Sequence, residues 1–165
     1  MKKSIIALGS IVIGTAMGAY VAGKSRNKVL REAKSISDKY FSLFRMMNHW
    51  VNIKQEGKNL ADWLEENGYK KIAIYGMSDV GLTLYDELLG TKVRVAYGID
   101  QNAGKIYSGL DVDVVGMNIV SMESSLEKVD AIIVTAVTFF DEIEEKLSKK
   151  ISCPVVSLVK ILNEI

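Results

Sequence analysis

After residue 70, short apolar segments alternate with amphipathic ones, and this alternation limits the possible folds more than any other feature of the sequence. Apolar runs of about four to eight residues between turn signals are typical of buried parallel strands. Five such runs are Lys71–Tyr75, Lys92–Ile99, Val112–Val115, Ala131–Val134 and Val155–Leu158. Helices are expected at 79–89, 122–127, 141–149 and 159–165. The sequence therefore predicts an α/β fold: a mostly parallel five-stranded sheet with helices on both faces.

A second constraint is the uncharged run Ser4–Gly23 near the start of the chain. As a helix it would span about 30 Å, the thickness of the hydrocarbon layer of a bilayer. Only Lys2 and Lys3 precede the run, whereas more positive charges follow it, at Lys24, Arg26, Lys28, Arg31 and Lys34. The positive-inside rule then predicts a single-pass cell-membrane protein with its α/β domain in the cytoplasm. The alternative is a signal peptide cleaved near Ala16-Met17-Gly18, which the following basic cluster disfavours.

Small residues recur every four positions within that run, at Ser10, Gly14, Gly18 and Ala22. Such a stripe lets two membrane helices approach closely, although glycine and alanine are common in membrane helices in any case. The sequence leaves a homodimer open.

Residues 24–57 predict a basic juxtamembrane amphipathic helix, because no proline or glycine interrupts 28–54 and the apolar residues follow a heptad spacing. These residues are Val29, Ala33, Ile36, Tyr40, Leu43, Met47 and Trp50. A coiled coil, a helix on the membrane surface and a helix packed on its own domain all fit this pattern. The aromatic residues favour packing on the domain. We expect His49 to be exposed, and we divide the chain into an anchor at 1–23, this helix at 24–57 and a domain at 58–165.

Charge and cysteine content exclude several classes of function. Residues 1–58 carry a net charge of +8 and residues 59–165 a net charge of −7. The acidic part would repel phosphates, so we do not expect nucleic acid as a partner. Cys153 and His49 are the only cysteine and histidine, which excludes an internal disulfide and a thiolate–imidazole zinc cluster.

The candidate site lies beyond the carboxyl ends of the first and fourth strands, where parallel sheets of this kind bind ligands. The sequence after the first strand, Gly76-Met77-Ser78-Asp79-Val80-Gly81, keeps the first and third glycines of GxGxxG but has Ser78 in the middle. The first glycine permits a tight turn, and the third permits close helix packing. Asp79 places a negative charge where a phosphate would sit, and either Ser78 or Asp79 can cap the next helix.

Two further candidates end the second and fourth strands. Asp100 can accept hydrogen bonds from ribose hydroxyls, although Asp-Gln-Asn is also ordinary turn chemistry. Thr135 follows the fourth strand, and Thr138-Phe139-Phe140-Asp141 fits a helix capping box. The predicted cofactor-binding residues are Gly76, Ser78, Gly81, Asp100 and Thr135. No catalytic constellation is recognisable, so an enzyme is disfavoured, and the sequence leaves NAD(P) and a nucleotide-sugar open as ligands.

The segments IAIYGMSDVG, VAYGID, VDAIIVTAVTFFDEI and CPVVSL resemble a family of Rossmann-like domains of bacterial surface-polysaccharide biosynthesis proteins. That family is related to nucleotide-sugar-binding and CoA-binding-like domains, and the resemblance covers residues 59–165. Its glycine turn, strand-end Asp and Val-Thr map onto Gly76, Gly81, Asp100, Val134 and Thr135. The resemblance implies a membrane-tethered nucleotide- or nucleotide-sugar-binding accessory module, partnered with a glycosyltransferase or another glycan-assembly enzyme. The alternatives are a small NAD(P)-dependent oxidoreductase or epimerase and a structural adaptor without a ligand.

Overall fold

The chain forms two compact units, Met1–Arg45 and Met46–Ile165. A computed structural model describes the backbone of residues 2–103 and 117–165 and the side chains of residues 28–103 and 117–165. The predicted strand Val112–Val115 lies outside the described residues. The side chains of Ser4–Gly23, on which the predicted anchor rests, lie outside them as well. Among the described residues, the structure contains no helix with the length and apolar character needed to cross a bilayer.

Helix α1 runs without interruption through Lys2–Gln55. It ends before Gly57, whose φ of 77° belongs to the left-handed region that terminates helices. Met46, Trp50 and Ile53 are buried in the unit Met46–Ile165. The α/β unit therefore includes the last turns of α1, which the sequence pattern had assigned to a separate helix. Within residues 28–45 of α1, most of the apolar side chains are exposed.

Helix α2, Leu60–Glu66, begins directly after its capping residue Asn59. The Asn59 side chain accepts a hydrogen bond from Asp62 N at 2.9 Å, which satisfies one of the unpaired amides of the first turn. Gly68, with a φ of 80°, follows the helix and allows the chain to turn into the sheet. Leu60 and Leu64 are fully buried.

In the part of the chain that the structure describes, five strands form a parallel sheet in the order β3-β2-β1-β4-β5. The strands are β1, Lys71–Tyr75; β2, Arg94–Ile99; β3, Ile119–Val120; β4, Ala131–Val134; and β5, Val155–Ser157. Strands β1 and β4 have the bounds that their apolar runs predicted. Both are almost entirely buried, as expected of central strands covered on both faces.

Helices connect the strands on opposite faces of the sheet. Helix α3, Asp79–Leu88, joins β1 to β2, and helix α4, Phe140–Ser148, joins β4 to β5 in the opposite direction along the sheet. Right-handed crossovers in opposite directions place the two helices on opposite faces. On the α4 side, Ile143 and Leu147 belong to one buried cluster with Tyr75 and Val134. Helix α5, Leu158–Glu164, follows β5.

Two local predictions were wrong. The segment 122–127 is not a helix, because it begins with a turn in which Ser124 N donates to Ser121 O at 3.0 Å and Glu123 N donates to the Ser121 hydroxyl at 3.2 Å. Local serine bonds of this kind compete with helix formation. The capping box at Thr138 is also absent, because a 3₁₀ turn at Val137–Phe139 precedes α4 and makes Phe139 the capping residue, without a side-chain bond.

Candidate functional site

The candidate site is a crevice at the carboxyl ends of β1 and β4. The chain leaves β1 toward β2 on one side and returns to β4 on the other, so the strand order reverses between β1 and β4. Tyr75 and Val134 are register partners, which places Gly76 and Thr135 side by side just beyond the sheet. The predicted neighbourhood of the first and fourth strands is therefore confirmed. Ligands of open α/β sheets bind at such a reversal point.

Gly76 makes the turn that leaves β1. Its φ is 94°, which side chains other than glycine rarely tolerate. A Cβ at this position would lie 2.8 Å from Thr135 Oγ1. Gly76 N donates to Ile99 O at 2.8 Å, so the turn is also bonded to the end of β2. Both the conformation and the space available therefore require glycine.

Gly81 brings the first turn of α3 against this turn. A Cβ on Gly81 would overlap the carbonyl oxygen of Gly76, and only a shift of the backbone could relieve this overlap. The third glycine of the motif thus has the close-packing role that the sequence predicted. Gly81 itself is buried.

Asp100 links the end of β2 to the turn after β1. Its Oδ2 accepts a hydrogen bond from Met77 N at 3.0 Å, and its Oδ1 accepts one from Asn102 N at 2.8 Å. The second bond is the turn chemistry expected of Asp-Gln-Asn. The first is a tertiary bond across 23 residues. Each oxygen keeps further acceptor capacity, because a carboxylate has about four acceptor sites.

Thr135 is the buried polar side chain of the crevice, with 4% of its surface exposed. Its hydroxyl lies 3.0 Å from Tyr75 O and 2.5 Å from Gly76 O, and it shares its one proton between these two carbonyls. Thr135 N also donates to Tyr75 O at 2.9 Å. Thr135 therefore fixes the β1 turn against β4, and it shapes the crevice instead of presenting its hydroxyl to solvent.

Ser78 and Asp79 are the exposed polar residues at the mouth of the crevice. Ser78 caps α3 through its extended backbone, and its side chain makes no capping bond. Asp79 lies in the first turn, where the helix dipole favours a negative charge. A phosphate bound at the same helix end would have to overcome repulsion from the Asp79 carboxylate. The five predicted residues thus divide into two glycines that shape the turn, two bonded residues, and Ser78, whose side chain makes no capping bond.

Met77 is a site residue that the glycine-motif reasoning missed. It is 1% exposed, and it packs so closely over β2 that a Cβ on Gly98 would lie 2.7 Å from its Cγ. The signal was available in the sequence, because an isolated glycine inside a strand often marks close approach of another group. Met77 therefore fills the space above β2 beside the turn.

Reactive groups lie away from this crevice. Tyr97 and Cys153 line a separate cavity of about 320 Å³ beside the segments that lead into β4 and β5. Burial raises the pKa of the Cys153 thiol. Burial, followed by the nearby Cys153 and Glu127, raises the pKa of Tyr97 to about 12.

His49 is exposed, as expected, and its Nε2 lies 2.8 Å from Leu162 O on α5. Within the described ranges, no three or more His, Cys, Asp or Glu residues are grouped to hold a metal ion.

The fold and the crevice define a parallel α/β domain with a glycine turn at the reversal of strand order. No protein-family model, curated protein or solved structure matches the chain. The assignment of a function therefore rests on the geometry of the crevice and on the sequence.

Proposed function

We propose that this protein is a membrane-tethered accessory module that binds a nucleotide or a nucleotide-sugar in a Rossmann-like crevice and serves bacterial surface-glycan biosynthesis. The observation that carries the proposal is the meeting of three features at one strand reversal: the Gly76 turn, the start of α3 and the Asp100 carboxylate. This is the arrangement in which α/β domains hold the ribose and phosphate groups of nucleotides.

The bonds within the crevice favour recognition of sugar hydroxyls over recognition of phosphate. Asp100 is held in place by two backbone amides, and its remaining acceptor capacity suits ribose or sugar hydroxyls. The Ser78 hydroxyl is exposed at the mouth and can donate to the same ligand. Asp79 disfavours a pyrophosphate at the start of α3, so the diphosphate of a nucleotide-sugar has to lie away from this helix end, whereas a dinucleotide-binding domain places its pyrophosphate there. The dinucleotide cradle of an NAD(P)-dependent oxidoreductase or epimerase is therefore the weaker alternative.

A structural adaptor is the second candidate, and one observation favours it. The crevice residues are already engaged within the chain: Asp100 and Thr135 bond to backbone groups, and Met77 is buried over Gly98. A domain whose polar groups are satisfied without a ligand can serve as a scaffold alone. The two candidates differ in whether any nucleotide binds.

Calorimetric titration of the full-length chain in detergent, with UDP, UDP-glucose, NAD, NADP and CoA as probes, tests the proposal. We expect UDP-glucose or UDP to bind, and we expect Ser78→Trp to abolish binding by filling the mouth. Ser148→Trp, at an exposed serine that ends α4, is the matched control and should bind normally. If none of the five probes binds the folded wild-type chain, the nucleotide-binding proposal is wrong and the adaptor is favoured. Tight binding of NAD or NADP alone would favour the oxidoreductase.

The membrane tether is tested separately. The uncharged Ser4–Gly23 run and the basic residues after it support a single-pass anchor with the domain in the cytoplasm. A reporter that is active only in the cytoplasm should be active when fused to the C-terminus, and a reporter that is active only outside the cell should be inactive there. A domain recovered outside the cell without its first twenty or so residues would mean that the run is a cleaved signal peptide.

A further inference from the structure

Residues 28–45 of α1 present an exposed apolar face. Six large apolar side chains within this stretch are 57–66% exposed: Val29, Leu30, Ile36, Tyr40, Phe41 and Phe44. Single exposed apolar residues are ordinary on protein surfaces, but a continuous set on one element marks a binding surface. We call these residues, together with Ala33 and Leu43, the α1 face.

The α1 face repeats every seven residues. Val29, Ile36 and Leu43 occupy one heptad position, and Ala33 and Tyr40 occupy the position four residues later. Leu30 and Phe44 follow the first set by one residue and widen the face. A seven-residue repeat keeps a seam turned toward a partner helix over several turns.

Charged residues are excluded from the α1 face. At about 100° per residue, the apolar side chains of 28–45 fall within an arc of about 160°. All seven charged residues of the stretch lie outside that arc: Lys28, Arg31, Glu32, Lys34, Asp38, Lys39 and Arg45. On the charged side, Lys28 Nζ lies 3.8 Å from Glu32 Oε1, four residues further along the helix, and both side chains are exposed. The face can therefore be covered by another helix without burying a charge.

We propose that the α1 face binds the α1 face of a second copy of this chain, in parallel orientation. In a parallel pair equivalent positions meet, so every apolar position of the repeat opposes its own counterpart along the whole stretch. This inference does not depend on the ligand of the crevice.

The uninterrupted course of α1 argues against a lipid surface as the occupant. If Ser4–Gly23 crosses the bilayer, an unbroken helix carries residues 28–45 away from it over about 27 Å, out of contact with lipid head groups. Two copies anchored in the same membrane, in contrast, leave it at equivalent residues, so their α1 helices run parallel and in register. This step, unlike the heptad argument, rests on the proposed tether.

Cysteine cross-linking in membranes that contain the full-length chain tests the proposal. In a Cys153→Ser background, single cysteines replace Val29, Ile36 or Leu43 on the face. Single cysteines at Ser35 or Ser42, on the charged side, are nearly isosteric controls. After mild oxidation we expect disulfide-linked dimers at 29, 36 and 43, at least five-fold above those at 35 and 42. Circular dichroism of each variant confirms that it is folded.

Three results would overturn the proposal. Equal cross-linking on both sides of the helix would mean that copies meet only by random collision. Cross-linking at one of the three face positions alone would mean that the helices cross or run antiparallel. No cross-linking, combined with quenching of a fluorophore at Ile36→Cys by spin-labelled lipids, would assign the face to the bilayer surface.

Discussion

The two parts of α1 on either side of residue 45 have similar apolar content and opposite surroundings. From 28 to 45 the large apolar side chains are mostly exposed, whereas Met46, Trp50 and Ile53 are at most 7% exposed. One helix thus contains a stretch whose large apolar side chains are exposed and a stretch whose apolar side chains belong to a core. The apolar residues have the same helical spacing in both stretches. The spacing therefore identifies the apolar face of the helix but does not indicate what covers that face.

Polar anchors distinguish the buried stretch from the exposed one. Trp50 Nε1 donates to Glu87 Oε2 at 2.7 Å, and Lys54 Nζ lies 3.1 Å from Glu87 Oε1. His49 is bonded to the last turn of α5. Such bonds require partners at fixed positions, so they lock the helix in one rotation about its axis. The anchors therefore determine which side of the helix enters the core.

Truncation of Trp50 should give the largest difference between the two stretches. Trp50→Ala should lower the free energy of unfolding by about 3–5 kcal/mol, because a buried aromatic ring leaves a cavity that the neighbours fill only in part. Phe44→Ala, at a ring that is 66% exposed, should change it by less than about 0.5 kcal/mol when the chain is diluted until it is monomeric, because the α1 face is covered only in the proposed pair. Urea unfolding of the full-length chain, followed by circular dichroism, measures both. Equal losses would mean that the two stretches are packed alike.

Substitution of Glu87 tests the anchor separately, because it removes the polar bonds of α1 and leaves the apolar contacts in place. Its carboxylate is 10% exposed and also accepts Leu60 N, the first amide of α2, at 3.1 Å. Glu87→Ala leaves the Trp50 indole N–H and this amide unpaired, so we expect a loss of about 1–3 kcal/mol in unfolding experiments. Glu142→Ala removes an exposed pair with Lys146 and should leave stability unchanged. If the two variants behave alike, Glu87 does not anchor the helices.

The smallest expected effect compares two tyrosines, one in the core and one on α1. The pKa of Tyr97 is about 12 in the folded protein and about 10 in the unfolded chain. Unfolding therefore releases a proton between these pH values, and stability is complete below pH 10 and falls above it by about 1.4 kcal/mol per pH unit. Tyr97→Phe should reduce this decline to the part that comes from Cys153, whose pKa burial also raises. The measurement is the difference in unfolding free energy between pH 9.5 and 11.

Tyr40→Phe is the matched control for that measurement, because Tyr40 is 64% exposed. We expect this variant to keep the alkaline decline of the wild-type chain. A decline that persists undiminished in Tyr97→Phe would assign it to another group.

The sequence predicted the centre of the sheet better than its edges. Strands β1 and β4 are continuous apolar runs, and their predicted bounds match the structure. The two-residue strand β3 at Ile119–Val120 has no periodicity to recognise, and the expected strand at Val112–Val115 lies outside the described residues. The segment 122–127 has apolar residues at helical spacing, yet Ser121 supplies turn bonds that a propensity argument does not weigh.

For the candidate site, the sequence predicted the backbone and missed the tertiary bonds. Gly76 and Gly81 were predicted from a local motif, and their geometry agrees with it. The bonds of Asp100 to Met77 N and of Thr135 to Gly76 O join segments 23 and 59 residues apart. No local pattern indicates that these side chains are already engaged. Glu87 was missed for the same reason, since its partners lie 27 and 37 residues away.

The interlocked turn after β1 also bears on the speed of binding. Gly76 bonds to Ile99, approaches Gly81 and accepts a hydrogen bond from the Thr135 hydroxyl, so three segments hold the turn in place without a ligand. A preorganised site pays little ordering entropy on association. Encounter with a small ligand would then be a single diffusive step, with one exponential phase whose rate rises linearly with ligand concentration.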